Sequence, residues 1–145
     1  MRRLCVLGLA VAAIFAVPRA PRADAPAGRY SIQDCEGTAC VKDNRTGLVW
    51  KRAEEVGTFT AAAAKAQCAG SWRLPAIREL QSVVDETRPA APTIDVTAFP
   101  GASVDWLWSS TPSAREVGST WAVSFGFGNT FVYPGTNVGG VRCVR

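Results

Sequence analysis

The sequence contains no histidine. That absence removes the imidazole general base, and with it every Ser-His or Cys-His nucleophile arrangement. It also removes a common zinc ligand. No CxxC pair is present either, so a zinc site would need four thiolates gathered from unrelated spacings. Long apolar runs are missing too: the longest, residues 4–17, has 14 residues. A membrane-spanning helix needs about 18–20. Carboxylates occur as the adjacent pairs Glu54-Glu55 and Asp85-Glu86, which in a regular element point in different directions, so neither reads as an acid/base dyad. Ser109-Ser110 has no base near it in the sequence.

What is present begins with a targeting pattern. Met1-Arg2-Arg3 is a short basic start, the apolar run follows, and Ala23-Asp24-Ala25 and Ala25-Pro26-Ala27 are Ala-x-Ala cleavage sites. Residues 1–27 read as a signal peptide and residues 28–145 as one exported, soluble domain, periplasmic or extracellular. Cleavage after Ala27 is preferred because cutting after Ala25 would leave Pro26 at the new N-terminus. Cys5 lies inside the apolar run, too early for a lipoprotein cysteine. Without residues 1–27, basic residues fall from 16 to 12 and acidic ones from 12 to 11, so the formal charge drops from +4 to +1. The basic pI then says little about partners, and a nucleic-acid ligand is not expected.

Cys35, Cys40, Cys68 and Cys143 remain, an even number in an exported chain, which reads as two disulfides. Their order along the chain leaves three connectivities open. Residues 29–32 and 38–42 read as short strands, and a Cys35–Cys40 bridge would pinch the turn between them. Asp43-Asn44 and Gly47 mark the next turn, before a strand opening at Leu48-Val49-Trp50. "TFTAAAAKAQCAG" predicts a helix capped by Thr58 or Thr60, with Cys68 in its last turn and Gly70 at C′. A second helix is expected from Pro75 to Arg88, with Ile77, Leu80 and Val84 on its core-facing stripe and Val83 beside them. Residues 89–101 are proline-rich and irregular. Period-two alternation follows: Trp106 and Trp108, a turn at "SSTPS", then Trp121, Val123 and Phe125 on one apolar face. Gly126-Phe127-Gly128-Asn129 signals a hairpin, and residues 130–133 and 141–145 are the last strands. Strands, then helices, then strands describe an α+β domain with an antiparallel sheet.

In that order, "DNRTGLVWKR", the alanine-rich helix ending in Cys68, "SWRLPAIRELQSVVD", "IDVTAFPG", "WLWSSTPS", "TWAVSF" and "VRCVR" resemble the Lcl C-terminal domain family, long catalogued as a domain of unknown function. The resemblance implies a C-type-lectin-like fold, disulfide-stapled, with two helices flanking a twisted antiparallel sheet. It implies a Cys68–Cys143 bridge, and by exclusion Cys35–Cys40, a pair that departs from the usual family pattern. Trp72 and Arg73 then belong to a scaffold motif: Trp72 anchors the core and Arg73 bonds carbonyls or a carboxylate nearby, in preference to stacking on a sugar or base. Trp50, Trp106, Trp108 and Trp121 are read as core.

Related folds include formylglycine-generating enzymes, which need a pair of catalytic cysteines; here all four mature cysteines are better used as bridges. The calcium-lectin signatures Glu-Pro-Asn, Gln-Pro-Asp and Trp-Asn-Asp are absent, leaving Asp95 and Asp105 as candidates for a structural calcium. No cofactor is expected. The family's namesake, a collagen-like adhesin, binds sulfated glycosaminoglycans. This sequence has no Gly-x-y tract, which excludes trimerisation by that route. Variable ligand-binding relatives of the fold carry their diversity on C-terminal strands and loops, which points to Arg115, Phe127, Asn129, Tyr133 and Asn137. Phe127 sits at a hairpin tip, where it either contacts a ligand or folds back onto the sheet. The expected function is a non-enzymatic, exported binding and adhesion module for a glycan (glycosaminoglycan-like) or a protein. The alternatives are an accessory periplasmic domain without a ligand and, more remotely, an enzyme.

Overall fold

The computed structural model describes residues 25–145, so nearly all of the expected signal peptide lies outside the described residues. The elements run β1 (Tyr30–Cys35), β2 (Thr38–Asp43), β3 (Val49–Lys51), α1 (Ala61–Gln67), α2 (Ile77–Ser82), β4 (Trp106–Pro112), β5 (Ser119–Ser124) and β6 (Thr130–Pro134). The domain is α+β, as expected, but it holds two three-stranded antiparallel sheets, β1-β2-β3 and β4-β5-β6, where one was anticipated. Among the described residues no helix is long and apolar enough to cross a membrane.

Both disulfides take the implied pairing, Cys35–Cys40 and Cys68–Cys143. The first closes the β1–β2 turn, where Glu36 has φ 57° and Gly37 φ 81° and the Asp34 carboxylate accepts the Gly37 N–H at 2.9 Å. The second joins the C-cap of α1 to the C-terminal segment across 75 residues. A loop of that length is worth about 4–5 kcal/mol in the chain-entropy account.

The C-terminal segment is not the regular last strand the alternation suggested. Gly140 bonds Trp106 and Trp108 at 3.0 Å each, Cys143 accepts from Lys51 at 2.9 Å, and Val144 exchanges two 2.9 Å bonds with Arg73. Arg145 pairs with Val49 at 2.8 and 2.9 Å. Its partners change every two or three residues, so no continuous ladder forms. It is nonetheless the seam between the two sheets.

Other boundaries shift for similar reasons. "SSTPS" does not turn: Ser109 to Pro112 prolong β4, the Ser109 hydroxyl donating to the Trp121 carbonyl at 2.7 Å, and the turn waits until Ser113. Pro75 stays outside α2 because its carbonyl accepts the Ser110 N–H of β4 at 2.7 Å. The same helix ends at Ser82, well before Arg88, since Asp85 folds the chain into a turn by accepting the Thr87 N–H and hydroxyl.

Core packing covers both faces of the β4–β6 sheet. Leu107, Val123 and Phe125 pack with Trp50, Leu80 and Phe99; Trp108 and Ala122 pack with Ala64, Leu74 and Val141. The expectation of one inward face therefore holds for Val123 and Phe125 but fails for Ala122, which is equally buried. Trp121 is a correction: it is half-buried and belongs to neither cluster.

The Trp72-Arg73 pair anchors. Trp72 packs against the second cluster, with the Lys51 ammonium 5.8 Å and the Arg145 guanidinium 4.8 Å from its ring. Arg73 grips Glu79 with two bonds of 2.7 and 2.6 Å, while Glu79 also accepts the Ala76 N–H at 2.8 Å and so holds the start of α2. Arg142 is also buried, 1% exposed. It donates to the carbonyls of Lys51 (3.1 Å) and Arg52 (2.6 Å) and to Glu54 (3.0 Å). Burial lowers its pKa, and Glu54 opposes that shift.

Two outcomes follow from these ion pairs. Arg142→Met takes the donor from two carbonyls and the paired cation from Glu54, so it should cost about 3–5 kcal/mol in urea unfolding; adding Glu54→Gln should recover part of the loss. Glu79 has a lowered pKa, chiefly from its hydrogen bonds to Arg73. Its contribution is complete above the unfolded carboxyl pKa of about 4.3 and is lost as pH falls through the lower folded value. Because Arg73 is half-exposed, Glu79→Gln should cost only on the order of 1 kcal/mol at pH 7. That gap should close in acid, and a gap independent of pH would sink the assignment.

Candidate functional site

Buried Arg142 fixes more than the core. By holding the carbonyls of Lys51 and Arg52 and the Glu54 carboxylate, it sets the path of the loop after β3. The Glu55 N–H pins the same loop to the Val141 carbonyl at 2.9 Å, and Phe59 exchanges two 2.9 Å bonds with Gly139. Opposite lie residues 103–106 at the start of β4. Between these walls runs an open groove of about 530 Å³, lined by Glu54, Glu55, Gly57, Thr58, Ser103, Asp105, Trp106, Val138, Gly139 and Gly140.

Two glycines make the groove possible. A Cβ on Gly139 would fall 2.3 Å from the Trp106 ring, and one on Gly140 would fall 2.5 Å from Leu107. Only bare backbone can lie this close to the indole. Trp106 in turn packs on Tyr133 (centroids 4.8 Å apart, tilted 31°), Trp108 (4.6 Å, edge-on) and Phe131 (6.1 Å, edge-on). Such contacts hold the indole in one orientation.

The polar wall is acidic. Glu54 Oε1 accepts from Arg142 and from the Ser103 N–H (3.1 Å), leaving Oε2 without a hydrogen bond among the described residues. Glu55 Oε1 pairs with Lys51 at 2.6 Å. Asp105 is exposed, and its carboxylate has no partner among the described residues. The floor's backbone is satisfied, since the N–H and carbonyl of both Gly139 and Gly140 are paired with Phe59, Trp106 and Trp108. Free acceptors therefore outnumber free donors, of which the Thr58 hydroxyl is one.

The five residues expected to bind a ligand do not form one site. Tyr133 (37% exposed) supports Trp106, and Asn137 directly precedes Val138 of the groove. Phe127 and Asn129 lie in the β5–β6 turn, where Phe127 is 86% exposed and does not fold back. Arg115 is exposed in the β4–β5 loop, at the other end of β5. The six residues of β5 extend about 20 Å at 3.3 Å per residue. Asp95 and Asp105 are also separated: Asp95 accepts the Thr97 and Ala98 N–H groups at 2.8 and 2.9 Å beside Tyr30, in a different groove. Among the described residues no three His, Cys, Asp or Glu side chains cluster to hold a metal.

Sequence reasoning weighed Glu54 and Glu55 only as a dyad and Thr58 only as a helix cap, and did not bring them together with Ser103 along one groove; Trp106, read as core, is half-buried and packs against the second cluster. The available signal was Gly139-Gly140 just before the last cysteine, a backbone demand with no turn to explain it.

None of the curated proteins matches the chain. Residues 39–145 match the Lcl C-terminal domain, and with most of its length covered the chain belongs to that family.

Proposed function

We propose that the chain is an exported, non-enzymatic binding module of C-type-lectin-like design that holds a glycan in the groove beside Trp106. The observation that carries this reading is the joining of a fixed aromatic, Trp106 backed by Tyr133, to carboxylates with unused acceptor capacity. Sugar rings offer a C–H face to an aromatic and hydroxyl donors to carboxylates. A groove of this size lies within the usual range for small-ligand sites, about 300–1,000 Å³. Catalysis is disfavoured because Glu54 and Glu55 are each tied to a cation. Export is supported by the N-terminal targeting pattern and by two disulfides, which persist in oxidising compartments.

The test is a glycan and protein array, repeated at raised salt to strip weak electrostatic hits. Tyr133→Ala and Val138→Arg should weaken the leading glycan about tenfold, equivalent to about 1.4 kcal/mol. Phe127→Ala and Arg115→Ala remove exposed side chains and should change stability by about 1 kcal/mol or less. Binding that survives both groove variants but disappears with Phe127→Ala would move the site to the β5–β6 turn.

A further inference from the structure

The donors and acceptors of the groove restrict which glycan it can take. We infer that the groove lined by Glu54, Glu55, Asp105 and Trp106 recognises a sugar bearing a free amine, and that it rejects sulfated sugars. This inference rests on the glycan-binding reading above and specifies its ligand.

Charge supplies the first argument. The groove presents three carboxylates, and the two cations that touch them, Arg142 and Lys51, are consumed by Glu54 and Glu55. No lysine or arginine lines the groove. Asp105 is left as an exposed, uncompensated negative charge. A sulfate or uronate placed here would meet only like charge, in a cleft whose low-dielectric walls concentrate the field.

Hydrogen-bond capacity supplies the second. An ionised carboxylate only accepts, and so does a sulfate, whereas an ammonium offers three donors. Glu54 Oε2 and the Asp105 carboxylate lack donors among the described residues, and the floor's backbone is already paired. The fitting ligand is therefore rich in donors. Its ammonium would also gain from Trp106 if it comes within about 6 Å of the ring, by cation–π attraction.

A lysine side chain from a protein would bring the same ammonium on a bare methylene stem. Such a stem needs an apolar channel, yet Thr58, Ser103, Asp105, Glu54 and Glu55 make half of the lining residues polar. Hydroxyls flanking the amine use those groups better, which favours the sugar.

Titration calorimetry on the purified chain with a glucosamine trimer, its fully N-acetylated counterpart, a heparin fragment and a lysine-rich peptide tests this. The glucosamine trimer should bind at least tenfold tighter than the acetylated one. Its affinity should fall as pH rises far enough to neutralise the amine, and Asp105→Asn should weaken it severalfold while leaving the melting temperature unchanged. Equal or tighter binding of the acetylated or sulfated sugar overturns the inference. So does preferential binding of the peptide, which would make the partner a protein. If the glucosamine trimer fails but another array glycan binds and depends on Tyr133, the amine assignment falls alone. If no glycan depends on the groove, the binding-site reading falls with it.

Discussion

A single buried guanidinium organises this domain. Arg142 lies on the C-terminal segment, yet its hydrogen bonds end on Lys51, Arg52 and Glu54, some ninety residues earlier. Burying a cation carries a desolvation cost that the ion pair alone does not reliably recover. An apolar side chain could fill the space and stack on Phe99, where the guanidinium sits 4.9 Å from the ring centroid. It could not satisfy two inward-facing carbonyls. Arg142 is therefore retained for position: it forces the loop after β3 to turn its carbonyls inward and to present Glu54 beside Ser103.

The C-terminal segment can serve as the seam because it is fixed at intervals by unlike means. Gly139 and Gly140 let it lie on Trp106 and Leu107, Arg142 ties it to the loop, and Cys143 is bonded to α1. Val144 then exchanges hydrogen bonds with Arg73, whose side chain holds Glu79 and thereby the start of α2. Sheet, loop and both helices thus meet on one short stretch. The groove is a by-product of that convergence, formed where the segment leaves Trp106 and the β3 loop swings past it.

Local chemistry was legible in the sequence, and convergence was not. The alanine-rich run and Thr60 give α1 its start, and the Glu36-Gly37 turn and the strands around it follow from residue types over a few positions. Period-two alternation located β5 but not its two-sided burial, because an alanine between large residues looks the same whether it faces water or Ala64 and Trp108. The end of β4 was misplaced since Ser109, Ser110 and Thr111 are turn formers by composition, while their hydroxyls and amides here bond Trp121, Pro75 and Ile77. The disulfide pairing came from family resemblance, as spacing alone permits three choices. Adjacent glutamates seemed to point apart, but they sit in an irregular loop where alternation does not apply, and both reach the groove.

Charge shows the same separation of scales. The whole sequence carries a formal +4, which by itself invites a polyanionic ligand. Much of that excess lies in residues 1–27, the expected targeting segment. Within the domain, Arg142, Arg73, Arg29 and Lys51 are turned against carboxylates in ion pairs. Lys42, Arg45, Lys65, Arg78 and Arg115 remain exposed on separate elements, and none of them lines the groove. The field at Trp106 is set by Asp105 and two partly neutralised glutamates, opposite in sign to the chain as a whole. Net charge therefore governs how the protein behaves in bulk, while the local field depends on which cations the fold has already used.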